Sequence, residues 1–441
     1  MEPAPSSRGV GDDPVEWFGT SRWTAGVVGL GYVGLPLAVT AAEAGLDVVG
    51  FDVATSRVER LRTGRSHVGD VPDGDLAAAL GRGARFTDDE SELSRADAIF
   101  IAVPSPLGRN RQPDMSYIEA AAATLERVAR PGQLVSLEST TYPGTTEDHL
   151  LPALERAGLQ LDRDVFLAFS PERVDPGNVM HTADIPKVVG GVTELSGDVA
   201  EAAYGRLVAK VHRVSTARAA ELTKLLENTY RAVNIAMVNE LTQVAHVFDI
   251  DIWEVIEAAA TKPFGFQAFY PGPGVGGHCI PLDPQFLAWR AREERIATRF
   301  IDLAEDVNLH MPDYVASRIF DALNERGLPV FGTRILAVGV AYKRNVADDR
   351  ESPAIDVLGR LERRGAQLGV LDPHVPAERL GRLGHEVVEA ESDLSSWRLA
   401  VILTDHDGID YRRLADEVDL VFDTRGVYRR LGLGSDNVLV L

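Results

Sequence analysis

The chain contains a single cysteine, Cys279, in a segment whose composition favours chemistry. It lies in GVGGHCIPLDP, directly after His278 and four residues before Asp283, among glycines that allow backbone or ligand atoms to approach closely. A free cysteine is most often a small buried hydrophobic residue. Beside an oxidising cofactor, however, a thiol can trap an aldehyde as a thiohemiacetal, which loses a second hydride and becomes a hydrolysable thioester. Both interpretations, structural residue and nucleophile, stay open at this point.

Three further polar residues could take part in such a reaction. Lys224 and Asn228 are four residues apart in a helical pattern and therefore share a helix face. They form either a solvated surface pair or a site lining, in which they would stabilise a developing alkoxide or the thiohemiacetal oxyanion. Glu172 follows the apolar strand VFLAFS, at the edge where α/β sheets bind ligands. It is either a surface or capping carboxylate or a general base for thioester hydrolysis.

A dinucleotide-binding fingerprint follows the first apolar strand. Gly29, Gly31 and Gly34 form GLGYVG between the strand AGVV and the helical segment LPLAVTAAEAG. The first glycine allows a tight turn, the second admits a pyrophosphate and the third lets helix and strand pack closely. Asp52 ends the next strand, where a carboxylate accepts ribose hydroxyls and repels a 2′-phosphate. The pattern predicts a bound cofactor, NAD, and disfavours NADP. The alternative interpretation is a glycine-rich strand-to-helix turn that binds no ligand.

Composition excludes several classes of protein. The 441 residues are 45% hydrophobic and 25% charged, which indicates an ordinary globular protein of several domains. No stretch approaches the roughly 18 apolar residues of a membrane span, and the N terminus lacks the features of a secretory signal. The net charge of -21 argues against a nucleic-acid surface. One cysteine excludes an intrachain disulfide and points to a reducing cytoplasm. No metal site is predicted.

The candidate residues must be positioned by strands and helices, which the hydrophobic pattern predicts. From Thr24 to about residue 192, short apolar strands alternate with helical stretches, as in βαβ units with a parallel sheet. A helical pattern runs from Ala217 to Phe248, and a second strand and helix alternation begins near Thr333. The chain is therefore predicted to be α/β, then helical, then α/β.

Several long motifs resemble the UDP-glucose/GDP-mannose dehydrogenase family. In sequence order they are GVVGLGYVGLPLA, ESTTYPGTT, FSPERVDPGN, KLLENTYRAVNIAMVNEL, PGPGVGGHCIPLDP and VAYKRNVADDRESPA, and the resemblance extends from about Thr24 to the C terminus. It implies an NAD-dependent nucleotide-sugar 6-dehydrogenase. Such an enzyme oxidises the C6 hydroxyl of a hexose in two steps to a uronic acid, through a cysteine-bound thiohemiacetal and thioester.

The resemblance also implies an architecture. We expect two Rossmann-like doubly wound domains joined by a long central helix and a helical dimerisation domain, in a homodimer. The expected division is a flexible N-terminal arm over residues 1–22, an NAD-binding domain over 23–214, a central domain with the cysteine loop over 215–325 and a nucleotide-sugar-binding domain over 326–441.

Roles for the polar residues follow from the same resemblance. Cys279 is the nucleophile, and Lys224 and Asn228 are the oxyanion stabilisers. Asp283 is a partner of Lys224 and of a catalytic water, and Glu172 is the base for thioester hydrolysis.

The resemblance assigns further residues to the cofactor and the substrate. Thr141 holds the catalytic water, although Thr140 could fill the same role. Lys343 corresponds to a substrate-contacting lysine, and Arg350 to an arginine near the NAD phosphates. Further cofactor residues are Tyr32, Val33, Arg57 and Pro104, and further substrate residues are Arg173, Tyr270 and Gly276.

The substrate is left open by the sequence. The motif GGHCIPLDP, which follows FYPGPG, resembles the family branch that acts on UDP-N-acetylhexosamines. His278 differs from the small residue found at this position in the UDP-glucose branch. The arginine- and alanine-rich composition would suit a high-GC bacterium, where UDP-glucose and dTDP-glucose are also substrates. Two other functions are considered: a two-electron hydroxyacid-type dehydrogenase that does not use the cysteine, and a non-catalytic NAD-binding scaffold.

Overall fold

The computed structural model describes residues 13–108, 111–173 and 182–441. The chain divides into two compact units. The first comprises the residues up to Glu227 together with Gln285–Arg295, and the second comprises Asn228–Pro284 together with Ile296–Leu441. The finer division into four parts stays a prediction.

An eight-stranded sheet organises the first unit. Its strands are β1 (Thr24–Val28), β2 (Asp47–Phe51), β3 (Arg85–Thr87), β4 (Ala98–Ile101), β5 (Gln133–Leu137), β6 (Val165–Phe169), β7 (Lys187–Gly191) and β8 (Val211–Val214). Their order is β3-β2-β1-β4-β5-β6-β7-β8, and only β6 and β7 pair antiparallel. The first six strands therefore have the order of a Rossmann fold. The predicted α/β class is confirmed.

Seven α-helices accompany this sheet. They are α1 (Pro14–Thr20), α2 (Gly34–Glu43), α3 (Thr55–Arg62), α4 (Asp73–Gly81), α5 (Ser116–Val128), α6 (Leu151–Arg156) and α7 (Glu194–Tyr204). Every residue of β4, β5 and β6 is buried, as expected for parallel strands covered on both faces.

Helix α1 lies within the segment predicted to be a flexible arm. Asp13 caps it by accepting two backbone hydrogen bonds from its first turn. Phe18 is fully buried, and its ring lies 5.7 Å from that of Trp23. Capping and aromatic burial thus order this part of the arm, while residues 1–12 lie outside the described residues.

In the described part of the chain, four helices follow the first sheet. They are α8 (Ala217–Val247), α9 (Ile252–Ala260), α10 (Cys279–Glu293) and α11 (Arg299–Asn324). Helices α8 and α10 each contribute residues to both units. The predicted helix from Ala217 onward is therefore present, and Cys279 is the first residue of a helix. Among the helices in the described ranges, none is long and apolar enough to cross a membrane.

A six-stranded parallel sheet organises the second unit. Its elements are β9 (Arg334–Val338), α12 (Pro353–Glu362), β10 (Gln367–Leu371), α13 (Ala377–Gly381), β11 (Glu386–Val387), β12 (Leu399–Ile402), α14 (Tyr411–Glu417), β13 (Val421–Asp423), α15 (Val427–Arg430) and β14 (Val438–Val440). The order β11-β10-β9-β12-β13-β14 repeats the Rossmann pattern of the first sheet. The second predicted Rossmann-like domain is thereby confirmed.

Candidate active site

Three glycines shape a nucleotide cradle between β1 and α2. Gly29 has a φ of 88°, and a Cβ there would lie 2.6 Å from the Ala102 carbonyl oxygen. A Cβ at Gly34 would overlap the Gly29 carbonyl group, whereas a Cβ at Gly31 would point into open space. The glycines therefore serve turn, packing and ligand approach as the sequence predicted, and the N terminus of α2 adds favourable electrostatics for a pyrophosphate.

Asp52 lies beside this cradle and is almost fully buried. Its Oδ2 accepts hydrogen bonds from the Leu30 N–H at 2.9 Å and from Arg57 Nη1 at 2.7 Å, while Oδ1 accepts the Ala54 N–H at 2.9 Å. Because a carboxylate has about four acceptor positions, it retains capacity for a ribose hydroxyl. The residues of the cradle thus fit the adenosine ribose of NAD. Arg57 is held beside it by its hydrogen bond to the Asp52 carboxylate.

The other predicted cofactor residues differ in exposure. Tyr32 is 47% exposed, Val33 is half-buried and Pro104 is exposed. Thr141 is buried and donates a hydrogen bond to the Thr145 hydroxyl.

Glu221 anchors the threonine loop and escaped the sequence analysis. It is fully buried on α8, one turn before Lys224. Its carboxylate accepts the N–H of Gly144 at 2.6 Å, and the N–H and hydroxyl of Thr146 at 2.9 and 2.7 Å. Burial raises the pKa of Glu221 to about 7, against the hydrogen bonds, which lower it. The helix that carries Lys224 therefore also fixes the loop that carries Thr141.

Lys224 and Glu172 contact each other inside the first unit. Lys224 Nζ donates to the Glu172 carbonyl oxygen at 2.6 Å and lies 3.4 Å from its Oε2. Both side chains are about nine-tenths buried, so neither is a solvated surface group. Burial raises the pKa of Glu172, and the positive charges of Lys224 and Lys187 oppose this rise. A carboxyl group with a raised pKa binds a proton more strongly than an exposed glutamate does.

A small, partly open cavity adjoins Glu172. It is lined by Val33, Leu37, Glu138, Glu172, Arg173, Ile185 and Lys187. A buried network forms part of its wall: Lys187 Nζ lies 2.5 Å from Glu138 Oε2, and Tyr204 donates to Glu138 Oε1 at 2.7 Å. The sequence analysis missed this network, because its members are far apart along the chain.

Arg173 is fixed on the wall of the same cavity. Its guanidinium donates to the Pro186 carbonyl oxygen at 3.0 Å and to Glu227 Oε1 at 2.5 Å. The ion pair ties the segment after β6 to helix α8.

Cys279, Asn228 and Asp283 belong to the second unit. Cys279 is half-buried at the N terminus of α10, where the helix dipole favours a thiolate. Asn228 Nδ2 donates to Asp283 Oδ2 at 2.6 Å, and both side chains are buried. The surface interpretation of Asn228 is therefore wrong, and the pairing of Asp283 with Lys224 stays a prediction.

The glycine-rich segment before Cys279 packs closely on its surroundings in the second unit. Tyr270 is 50% exposed and stacks on Trp253 with ring centroids 5.7 Å apart. A Cβ at Gly272 would lie 2.5 Å from Arg425 Nη1. The sequence analysis did not identify Arg425. The residue lies in the DTRG motif, which begins at the last residue of β13, at the sheet edge where α/β proteins bind ligands.

Lys343 and Arg350 follow β9 in the second unit. Lys343 is half-buried, and Arg350 is exposed and forms an ion pair of 2.6 Å with Asp348. Gly276 lies close to this segment, since a Cβ there would be 2.6 Å from the Glu351 carbonyl oxygen. The structure thus brings the predicted substrate residues Gly276 and Lys343 to the same segment. The nearness of Arg350 to NAD phosphates stays a prediction.

Fold and cradle together define an NAD-dependent oxidoreductase of the α/β class. The chain matches the NAD binding domain of the UDP-glucose/GDP-mannose dehydrogenase family over residues 24–208, its central domain over 218–310 and its UDP binding domain over 336–430. It therefore belongs to this family of NAD-dependent nucleotide-sugar dehydrogenases. The resemblance inferred from the motifs is confirmed.

Individual relatives agree with this assignment over nearly their whole length. An NDP-N-acetyl-D-galactosaminuronic acid dehydrogenase of Ralstonia nicotianae is 37% identical, with 92% of this chain and 96% of the relative covered. The solved structure of a UDP-D-ManNAc dehydrogenase from Pyrococcus horikoshii has a TM-score of 0.84 at 30% identity, covering 95% and 98%. A UDP-glucose dehydrogenase from Pyrobaculum islandicum has a TM-score of 0.82 at 30% identity, covering 96% and 97%.

Proposed function

We propose that the enzyme oxidises C6 of a UDP-N-acetylhexosamine to a carboxylate in two NAD-dependent steps, with Cys279 as the covalent nucleophile. The observation that carries the proposal is the position of this single thiol, half-buried at the start of α10 after a glycine-rich segment. Two of the relatives above are named for N-acetylated sugars, which supports the substrate class. The third is named for UDP-glucose, so the unsubstituted hexose is the competing substrate.

The first oxidation requires removal of a proton from the C6 hydroxyl. NAD bound in the cradle would supply the hydride acceptor, and the two oxidations would consume two NAD molecules in succession. Lys224, or a water held by Asp283, takes the hydroxyl proton, and Lys224 and Asn228 stabilise the negative charge on the oxygen. Their burial strengthens this stabilisation, because charges interact more strongly away from water.

The second oxidation proceeds on the cysteine. The Cys279 sulfur adds to C6 of the aldehyde, and Lys224 and Asn228 stabilise the resulting thiohemiacetal oxyanion. Loss of a second hydride leaves a thioester. Water ordered by Thr141 and deprotonated by Glu172 attacks this thioester, which releases the uronate and restores the thiol. Thr140 is the alternative to Thr141 for ordering the water.

The second unit is proposed to bind the nucleotide sugar. Lys343 would neutralise part of the diphosphate charge, and Tyr270 and Gly276 would line the sugar. Arg173 is a further proposed substrate-binding residue. Arg350 is proposed to approach the NAD phosphates, which requires it to leave or share its partner Asp348.

We further propose that the enzyme is a homodimer. Met237, Leu241 and Val244 are spaced by four and three residues on α8 and are each 46–49% exposed. On α11, Phe300 and Leu303 are 77% and 57% exposed. Large apolar side chains that are exposed at helical spacing often mark a protein–protein interface. A second copy of the same chain would cover both helices.

The substrate is identified by an activity panel. Purified enzyme with NAD is given UDP-GlcNAc, UDP-ManNAc, UDP-GalNAc, UDP-glucose, dTDP-glucose and GDP-mannose, and kcat/KM is measured for each. We expect one UDP-N-acetylhexosamine to exceed the other sugars by at least about tenfold, which corresponds to about 1.4 kcal/mol. A preference for UDP-glucose or dTDP-glucose would overturn the substrate class. Absence of turnover on all six would favour an NAD-binding scaffold.

A further inference from the structure

A buried histidine lies behind the segment that carries Lys343. His406 is fully buried, and both of its ring nitrogens have partners. Nδ1 accepts the Asn345 N–H at 3.0 Å, and Nε2 lies 3.1 Å from Asp372 Oδ2. Because Nδ1 is an acceptor, the ring proton is on Nε2 and is donated to the carboxylate. The imidazole therefore bridges Asp372 and the backbone at Asn345.

Asp372 extends this bridge to the beginning of the same segment. Its Oδ2 also accepts the N–H of Val340 at 2.8 Å and the N–H of Ala341 at 3.0 Å. Its Oδ1 accepts two further backbone N–H groups from the turn after β10. Burial alone would raise the pKa of Asp372, but the hydrogen bonds from His406 and the backbone hold it well below its usual range. The Asp372 carboxylate therefore stays ionised and accepts all of these hydrogen bonds.

The segment is fixed on both sides of Lys343. Val340 and Ala341 are held by Asp372, and Asn345 is held by His406. Asn345 has a left-handed φ of 59°, and its side-chain oxygen accepts the Asp407 N–H at 3.0 Å.

The same segment supports the backbone that leads to Cys279. A Cβ at Gly277 would lie 2.7 Å from the Tyr342 ring, and one at Gly276 would lie 2.9 Å from Tyr342 Cβ. Only glycine permits this approach without displacement of the ring. Tyr342 directly precedes Lys343. Contacts that fix the segment around Lys343 therefore also limit where Gly276, Gly277 and the following Cys279 can lie.

We propose that His406 is a positioning residue for nucleotide-sugar binding. Through Asp372 and the Asn345 backbone, it fixes the position of the Lys343 backbone. Because Tyr342 contacts the glycines before Cys279, His406 also influences the position of the cysteine. The inference rests on the proposed role of Lys343 in binding the nucleotide sugar. His406 itself touches neither substrate nor cofactor in this role. NAD binding depends on the cradle of the first unit and should not respond to it.

The test compares His406→Leu, His406→Gln and His212→Leu, the last being an exposed histidine on β8. For His406→Leu we expect KM for the nucleotide sugar to rise at least about tenfold while KM for NAD is unchanged. Glutamine retains a donor for Asp372 and should recover part of this loss, and His212→Leu should resemble wild type. The rate of alkylation of Cys279, the only thiol, should change in His406→Leu without substrate present.

Two results would overturn the inference. One is an unchanged KM for the nucleotide sugar in folded His406→Leu, and the other is an equal rise in both KM values, which would indicate general structural damage. If His406→Leu does not fold, His406→Phe replaces it, because phenylalanine keeps an aromatic ring and lacks both nitrogens that contact Asp372 and the Asn345 N–H. The same selective rise in KM is then expected. Lys343→Met separates the two proposals: a normal KM in this variant would refute the binding role of Lys343 itself.

Discussion

Glu172 and Lys224 are charged residues that the fold removes from water while pairing them with each other. Burial raises the pKa of Glu172, so more of the carboxyl group is protonated near neutral pH than in an exposed glutamate. A base must be deprotonated to accept a proton, and release of the uronate should therefore accelerate as pH rises through this raised pKa.

Glu172→Gln tests this role. The variant lacks the base, so thioester hydrolysis should slow by about 10²- to 10⁴-fold and lose its rise with pH. The acyl adduct on Cys279 should accumulate and be visible by intact-mass spectrometry during turnover. Wild-type rates of uronate release, or a turnover sample without any adduct, would remove Glu172 from the mechanism.

Glu221 gives a prediction for stability. Its folded-state pKa of about 7 exceeds its ordinary value of 4.5, so the folded state binds more protons than the unfolded state between these values. The free energy of unfolding should therefore fall as pH rises from about 4.5 to about 7, by up to about 3 kcal/mol from this group. Urea unfolding at about pH 5 and about pH 8 should show a smaller difference for Glu221→Gln than for wild type. An identical difference in both proteins would contradict the assignment.

The sequence could identify candidate reactive residues but not the partners that the structure gives them. Cys279, Lys224, Asn228 and Glu172 stand in distinctive local motifs. The contact between Lys224 and Glu172 joins residues 52 positions apart, and that between Asn228 and Asp283 joins residues 55 apart. Such pairings depend on tertiary packing, and local patterns contain no information about them.

At the level of elements, apolar runs predicted the central strands and failed at the edges. β1, β2, β4, β5 and β6 are nearly all apolar and buried, so their pattern is clear. The edge strands β3 and β11 have three and two residues, which is too short for a periodic signal. β7, with the sequence KVVGG, is mostly valine and glycine, so its apolar run is short.

The helix that begins at Cys279 was also unexpected, because prolines in CIPLDP argue against a helix. Pro281 lies in the first turn, where its missing N–H would have no intrahelical partner. Pro284 lies further inside the helix. Placing the thiol at a helix start is therefore a result of the structure and not of the pattern.

Gly277→Ala tests the support of the nucleophile loop by Tyr342. Gly277 has a φ of 83°, and a methyl group would press on the tyrosine ring. We expect kcat to fall at least about tenfold and the alkylation rate of Cys279 to change. Gly384→Ala is the matched control, since Gly384 has a φ of 79° and a Cβ there would meet nothing within 4 Å. Equal effects of the two variants on activity would show that backbone strain alone, and not the contact with Tyr342, is responsible.

For the whole molecule, the exposed apolar face on α8 and α11 predicts a dimer. Light scattering coupled to size-exclusion chromatography should give twice the chain mass of 47.8 kDa for wild type. A Leu241→Glu and Val244→Glu double variant should be monomeric, because burying two unpaired carboxylates costs several kcal/mol. Leu431→Glu, which changes an exposed leucine outside these helices, should stay dimeric. A monomeric wild type, or a dimeric double variant, would contradict the proposed interface.

The proposed chemistry is two oxidations of one carbon by one polypeptide, through Cys279. Its most direct test is the number of NADH molecules formed per molecule of sugar nucleotide consumed, in wild type and in Cys279→Ser. We predict two NADH per sugar and a uronate product for wild type, and no uronate from Cys279→Ser, because serine is a far weaker nucleophile than a thiolate. One NADH per sugar in both proteins, or uronate formation without the thiol, would contradict the account and indicate a simple two-electron dehydrogenase.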